Sequence, residues 1–231
     1  MSGGRRSEIG DRETADARWS DWRWQVRHAV TGASPALLEY GAGAAEARRV
    51  SARYPGVISP YALSLLRAGE PDDPLNRQAL PSADELADEP GMTADPFAER
   101  SCAACCHGVK QRFPDRVLVM ASDRCAMACR HCTRKGLLKG ADVIRTPAQL
   151  RAAAAWVRAH PVVREVLLSG GDPLLLPDAR LLAFVRAFAQ LPQTDAVRIG
   201  TRAPVALPMR VTEALARRLG AFKKVWVNTQ F

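Results

Sequence analysis

From residue 116 onward, short apolar runs alternate with amphipathic stretches. Val, Leu and Ile gather at 116–121, 164–168, 196–200 and 223–228, lengths suited to strands. Between them, 147–159, 178–190 and 211–219 place apolar residues three and four apart, the period of a helix. Thr146-Pro147 and Pro177-Asp178 read as helix starts and Gly220 as a stop. Strands separated by helices in this way predict βα repeats on a parallel sheet.

The first part of the chain reads differently. Residues 1–18 carry Gly, Ser, Arg, Asp and Glu with almost no large apolar side chain, which predicts a disordered tail. A helix is expected over 19–30, with Trp19, Trp22 and Val26 on one face and Asp16 or Ser20 as its cap. Packing explains such a tryptophan cluster more simply than stacking on a ligand. Shorter helical pieces follow at 35–39, 44–52 and 60–67, broken by Tyr54-Pro55-Gly56. Residues 68–101 are rich in Pro, Asp, Glu and Gly and read as an irregular connector with one helical turn at 83–87. The expected division is a tail (1–18), a helical N-terminal region with its connector (19–101) and an α/β part (102–231).

Composition narrows the class. The 231 residues are 47% hydrophobic and 25% charged, as in ordinary globular proteins. No apolar run approaches the ~18 residues of a membrane span, and the N-terminus lacks the apolar core of a secretory signal. A cytoplasmic protein without membrane contact is expected. The net charge is +9, but its arginines are scattered and no basic block with interleaved aromatics occurs, so nucleic acid is not expected as a partner. Six cysteines in such a chain suggest metal or redox chemistry rather than a disulfide framework.

Three of them, Cys125, Cys129 and Cys132, stand in the run CAMACRHC directly after the first strand. Three thiolates can hold three corners of a cubane cluster, and a missing fourth ligand leaves one iron open. Zinc with His131 or His107, or plain buried thiols, are the alternatives. Cys102, Cys105 and Cys106 form a weaker group, a second metal site with His107 or simply oxidisable thiols. The other strands also end in polar segments: Ser169-Gly170-Gly171-Asp172, then Gly200-Thr201-Arg202, then Asn228-Thr229-Gln230. In parallel barrels ligands bind at such carboxyl ends. Ser-Gly-Gly-Asp fits either a βα turn or the close approach of an amino-acid ligand, and Arg202 either a carboxylate partner or a rim charge.

The three-cysteine motif resembles that of the radical S-adenosylmethionine (SAM) enzymes. The segments RFPDRVLVMASDRCAMACRHCTRKG, VREVLLSGGDPLLLPD, VRIGTRAPVALPMRVT and VWVNTQF together resemble the lysine 2,3-aminomutase family. WSDWRWQVRHAV, ISPYALSLL and PDDPLNRQALPSADEL agree with that family's N-terminal region, so the resemblance covers nearly all of 19–231.

The resemblance implies a radical SAM barrel with a 4Fe–4S cluster on Cys125, Cys129 and Cys132 and SAM on the open iron. It also implies pyridoxal phosphate (PLP) and the 2,3-migration of an amino group on lysine or a related amino acid, started by a 5′-deoxyadenosyl radical. Flavodoxin or ferredoxin would supply the electron. By the same matching Ser169, Gly170, Gly171, Asp172, Arg202 and Gln230 lie around SAM, Arg112 and Arg116 near the PLP phosphate, and Arg134 at the substrate carboxylate. A whole β/α barrel takes about 250 residues, so a partial TIM-like barrel of about four strands is expected here. None of the five lysines matches the family's PLP lysine, though Lys110 and Lys135 fall near the expected pocket. Phe113 and Gln230 depart from residues common in the family. The alternative expectation is an inactive or split-enzyme fragment that binds cluster and SAM, with a second chain supplying the remaining strands.

Overall fold

The computed structural model describes residues 17–40, 43–87, 91, 93, 95–99, 104–136 and 142–231. The chain divides into two compact units. One is drawn from Met1–Met92, Ala126–Gly136 and Val205–Arg210, the other from Thr93–Cys125, Leu137–Pro204 and Val211–Phe231.

The first unit holds short helices and a two-stranded ribbon. A 3-10 turn at Ala17–Ser20 leads to α1 (Trp22–Arg27), β1 (Val30–Thr31), a 3-10 helix at Pro35–Tyr40, α2 (Ala44–Arg53), β2 (Val57–Ile58), α3 (Pro60–Ser64), α4 (Pro74–Ala79) and a 3-10 helix at Ala83–Leu86. β1 and β2 pair antiparallel, Val30 opposite Ile58. Trp19, Leu37, Val50, Ile58 and Ala62 are buried. The expected helix over 19–30 is interrupted, and Asp21 is the cap rather than Asp16 or Ser20. Its carboxylate accepts the Arg23 N–H at 2.9 Å. Buried Gln25 ties α1 to α3, donating to Trp19 O and accepting the Tyr61 N–H at 2.8 Å. α4 stands in what reads from sequence as connector. Asp73 caps it through the Leu75 and Asn76 N–H groups, and Pro74 takes the first turn, where a missing N–H costs nothing.

The second unit is an α/β layer. Its elements are β3 (Ala104–Cys106), β4 (Val109–Phe113), β5 (Arg116–Ser122), α5 (Pro147–Ala159), β6 (Glu165–Gly170), α6 (Asp178–Ala189), β7 (Ala196–Thr201), α7 (Glu213–Gly220) and β8 (Val225–Thr229). The strands form one sheet in sequence order. β3, β4 and β5 are antiparallel neighbours, and β5 through β8 run parallel. The four parallel strands and their helices lie within two residues of the expected ranges. The β3–β4 hairpin was not foreseen. Its turn needs Gly108, which has φ 72° and leaves no room for a Cβ beside Ile144.

Register aligns the core in rows across the sheet. Val119, Leu168 and Ile199 are paired neighbours, as are Val117, Val166 and Val197. All six are essentially buried. α6 packs on β7 and α5, with Leu181, Phe184, Val185 and Phe188 buried. Each such side chain removed from water contributes roughly 1.5–3 kcal/mol. α5 starts at a capping box of Thr146 and Gln149 with Pro147 in its first turn.

Candidate functional site

Because β5 to β8 run parallel, their carboxyl ends share one edge of the sheet. At that edge the segment after β5 is seated on the turn after β6. The Gly171 N–H donates to Ser122 O at 2.6 Å and the Asp172 N–H to Arg124 O at 2.7 Å. Ser122 Oγ accepts the Arg124 N–H at 3.1 Å. Gly170 has φ 104°, and a Cβ there would stand 2.4 Å from Ser122 O. A Cβ on Gly171 would stand 2.5 Å from Arg124 O. Both glycines are therefore required by the backbone that leads into Cys125.

Asp172 braces the same edge from within. Only 5% exposed, it accepts the Leu174 N–H and the Thr201 hydroxyl on Oδ1 at 2.9 and 2.7 Å, and the Arg202 N–H on Oδ2 at 2.9 Å. Burial pushes its carboxyl above the usual range, against the pull of these hydrogen bonds. The carboxylate faces the protein and ties the β6 turn to the end of β7. Ser169 is the next-to-last residue of β6, and Gln230 follows β8 at an exposed position.

The cysteine run is shared between the units: Cys125 belongs to the sheet unit, Cys129 and Cys132 to the helical one. In the helical unit the run lies along β2. The Ser59 N–H donates to Ala126 O and the Ala128 N–H to Val57 O, both at 2.8 Å. Ile58 and Met127 form an antiparallel bridge. A turn then closes from the Cys132 N–H to Cys129 O at 3.1 Å, and the Arg134 N–H points at Cys132 Sγ at 3.4 Å. Cys125, Cys129 and Cys132 are partly exposed thiols, outside any disulfide. Burial raises the Cys132 thiol above its ordinary value, while the Arg134 N–H and nearby cations act the other way. Among the described residues no three His, Cys, Asp or Glu side chains are gathered as a metal-ligand set. The fit to a cluster therefore rests on the donors, three thiols within eight residues, the number a cluster with one open iron needs.

Other expected site residues are not brought to this edge. Arg116 starts β5, about 20 Å along the strand from Ser122 at 3.3 Å per residue. It pairs with Asp115 at 3.2 Å and lies 5.3 Å from the Phe113 ring. Arg112, on β4, stacks near Phe97 and Phe113 at 4.7 and 5.6 Å. His107, weighed as a zinc ligand, turns Nδ1 to Asp142 and Nε2 to Val143 O. Lys135, weighed as a substitute lysine, is committed to Glu85 at 2.6 Å. Cys102 and the side chain of Cys105 lie outside the described residues, and Cys106 is half-buried on β3.

Sequence reasoning passed over Arg130 and Glu85, a buried pair beside the cysteines. The Ser82-Ala83-Asp84-Glu85 pattern of a capping box was the available signal for Glu85. It also passed over Thr201 as the partner of Asp172.

The Radical SAM superfamily pattern matches residues 119–229, from β5 to the end of β8. The L-lysine 2,3-aminomutase of Clostridium subterminale is 38% identical over 226 residues, 95% of this chain and 53% of that protein. The Bacillus subtilis L-lysine 2,3-aminomutase is 33% identical over 223 residues, 95% of this chain and 47% of the relative. The glutamate 2,3-aminomutase of Clostridioides difficile is 30% identical over 218 residues, 92% and 51%. The chain spans about half the length of the curated relatives it matches. A cysteine run that leaves a parallel strand and is seated on the glycines of the next strand end agrees with these matches: residues 119–229 carry the radical SAM superfamily pattern, and most of the chain is similar to about half the length of the lysine 2,3-aminomutases.

Proposed function

We propose that the chain is the cluster- and SAM-binding part of a radical SAM aminomutase, one that moves an amino group between C2 and C3 of lysine or a related amino acid with the help of PLP. The observation that carries this reading is the docking of Ser122 and Arg124 on Gly171 and Asp172, which builds the segment leading into Cys125 onto the strand ends where ligands bind. The superfamily implies a 4Fe–4S cluster and SAM. Cys125, Cys129 and Cys132 would hold the cluster. When bound and reduced, the cluster supplies the electron that cleaves SAM.

The chain's own residues supply position and charge. Ser169, Gly170 and Gly171 would lie around SAM at the end of β6, and Asp172 would act through the turn that it braces. Arg202 and Gln230, at the ends of β7 and β8, flank the same edge. Arg134 would receive the substrate carboxylate in a planar two-point pairing. Arg112 and Arg116 stand as the PLP phosphate pair on the family resemblance alone, since neither lies at the strand carboxyl ends. The four parallel strands form part of a TIM-like barrel in this reading, and a flavodoxin or ferredoxin serves as electron donor.

A second reading is favoured by β8, where Trp226 and Val227 are 60% and 50% exposed. Further strands, in this polypeptide or another, would complete the sheet there, and the described part alone would bind cluster and SAM without turnover.

Anaerobic reconstitution with iron and sulfide, then SAM and dithionite, tests the proposal. About four irons per chain and release of 5′-deoxyadenosine are expected. Stoichiometric zinc in a colourless protein, or no iron uptake, would overturn it. Formation of a β-amino acid from lysine or glutamate with added PLP separates the first reading from the second.

A further inference from the structure

Arg130 lies between Cys129 and Cys132, yet its side chain turns into the helical unit and is 5% exposed. Its guanidinium grips Glu85 through two parallel hydrogen bonds, Nε to Oε1 and Nη2 to Oε2, each 2.8 Å. Nη2 also reaches Tyr54 O at 3.3 Å, and the Arg130 N–H donates to Gln78 O at 2.8 Å. Lys135 closes the group from beyond Cys132. Its ammonium donates to Glu85 Oε2 at 2.6 Å and to Arg130 O at 2.9 Å, and it lies 4.6 Å from the centre of the Tyr54 ring. Glu85 is fixed in turn by its capping box, accepting the Ser82 N–H at 3.2 Å. One buried carboxylate thus holds residues 130 and 135, which bracket Cys132 and follow Cys129.

Stability is a poor explanation for such a group, because well-packed apolar residues often serve a fold as well as a buried ion pair. What the pair does supply is fixed geometry: a planar fork on a carboxylate admits few arrangements. Here the geometry is fixed in the segment whose two thiols must meet one cluster. We propose that Glu85 is a positioning residue for cluster assembly, setting through Arg130 and Lys135 the backbone that presents Cys129 and Cys132 together. This rests on the reading that these cysteines hold the cluster.

The experiment reads the thiols of the whole metal-free chain before any iron is added. Alkylation by iodoacetamide, followed cysteine by cysteine with peptide mass spectrometry, reports local order around each sulfur. Glu85→Gln is expected to raise the rates at Cys129 and Cys132 about tenfold relative to Cys106, and Lys135→Met to raise them by a smaller factor. Leu37→Ala, a cavity in the same unit's core, serves as the control of lowered thermal stability and is expected to leave the ratios to Cys106 unchanged. Should Glu85→Gln fail to fold, the comparison of Lys135→Met with Leu37→Ala decides. Unchanged ratios in the Glu85 and Lys135 variants, or ratios that Leu37→Ala raises equally, overturn the positioning role.

Iron loading of the wild type runs in parallel. A wild-type chain that takes no iron overturns the cluster reading, and the role with it. A wild type that loads about four irons beside a Glu85→Gln chain with unchanged alkylation overturns the positioning role alone. A Glu85→Gln chain with altered alkylation and a changed electron paramagnetic resonance signal of the reduced cluster supports both.

Discussion

The Thr201 hydroxyl donates to Asp172 Oδ1 at 2.7 Å, joining the turn after β6 to the end of β7 across 29 positions of sequence. Both members are nearly out of contact with water, 7% and 5% exposed. Asp172 therefore holds the framework of the strand-end turn, whose Gly171 and Asp172 N–H groups are given to Ser122 O and Arg124 O. The arrangement also explains how the acid tolerates burial: each oxygen accepts at least one N–H or O–H.

The burial of Asp172 has a measurable pH signature. Burial raises the carboxyl of Asp172 above its ordinary 3.8, so the folded state binds this proton more tightly than the unfolded state does. The group's contribution to stability is then fully present below 3.8 and is lost as pH rises through the higher folded value. Unfolding free energy measured in denaturant from pH 3 upward should carry this falling component in the wild type and lack it in Asp172→Asn. Thr201→Val, which removes only the hydroxyl donor, should cost about 1–3 kcal/mol at neutral pH, because the buried carboxylate then loses a partner.

The two glycines give a contrast within one turn. Gly171→Ala places a methyl 2.5 Å from Arg124 O, so the cysteine-bearing segment must move. A loss of about 1–3 kcal/mol in thermal or chemical unfolding is expected from such overpacking, along with reduced iron uptake on reconstitution. Gly200→Ala is the control, since its nearest neighbours would stand at 3.5 Å, an ordinary contact. Equal iron uptake in both variants would show that the seat of the Cys125 segment does not matter to the cluster.

The second half of the fold was legible because its signals are local. Alternating burial along β6 and β7 follows Val166, Leu168, Val197 and Ile199, and Thr146-Pro147 marks the start of α5 with a cap and a residue suited to the first turn. The misses have local causes too. Asp73-Pro74 reads as a breaker but serves as cap and first residue of α4. Val109–Phe113 has no apolar alternation to announce a strand. The pairs that brace the site were hidden for another reason. Arg130 and Glu85 are 45 positions apart, Asp172 and Thr201 29 apart, and no periodicity links such partners. The cysteines were visible from spacing alone, whereas these side-chain pairs are visible only in the folded chain.

Glu85 should show the opposite pH dependence from Asp172. Burial pushes its carboxyl up, but hydrogen bonds from Arg130 and Lys135 and the Arg130 charge outweigh it and hold the group below its ordinary 4.5. The stability it contributes is present above 4.5 and is lost as pH falls through the lower folded value. Glu85→Gln should flatten that acid limb of the stability curve. At neutral pH it should cost about 3–5 kcal/mol, the range for a buried pair that loses one charge. An unchanged acid limb in urea titrations below pH 4.5 would show that the pair is not formed in solution.

β8 offers the last test. It pairs with β7 alone among the described residues, and it exposes Trp226 and Val227 beside Phe231, which is 85% exposed. An open edge with apolar side chains is a template for another strand, so the isolated chain should self-associate as its concentration rises. Trp226→Lys places a charge on that surface at a side chain that is 60% exposed, so thermal stability should fall by no more than about 1 kcal/mol. Light scattering coupled to size exclusion should then show the wild type growing in mass with concentration and Trp226→Lys remaining monomeric at the same loading. Should both remain monomeric, the edge is not an association surface, and the reading in which further strands complete the sheet at β8 loses its support.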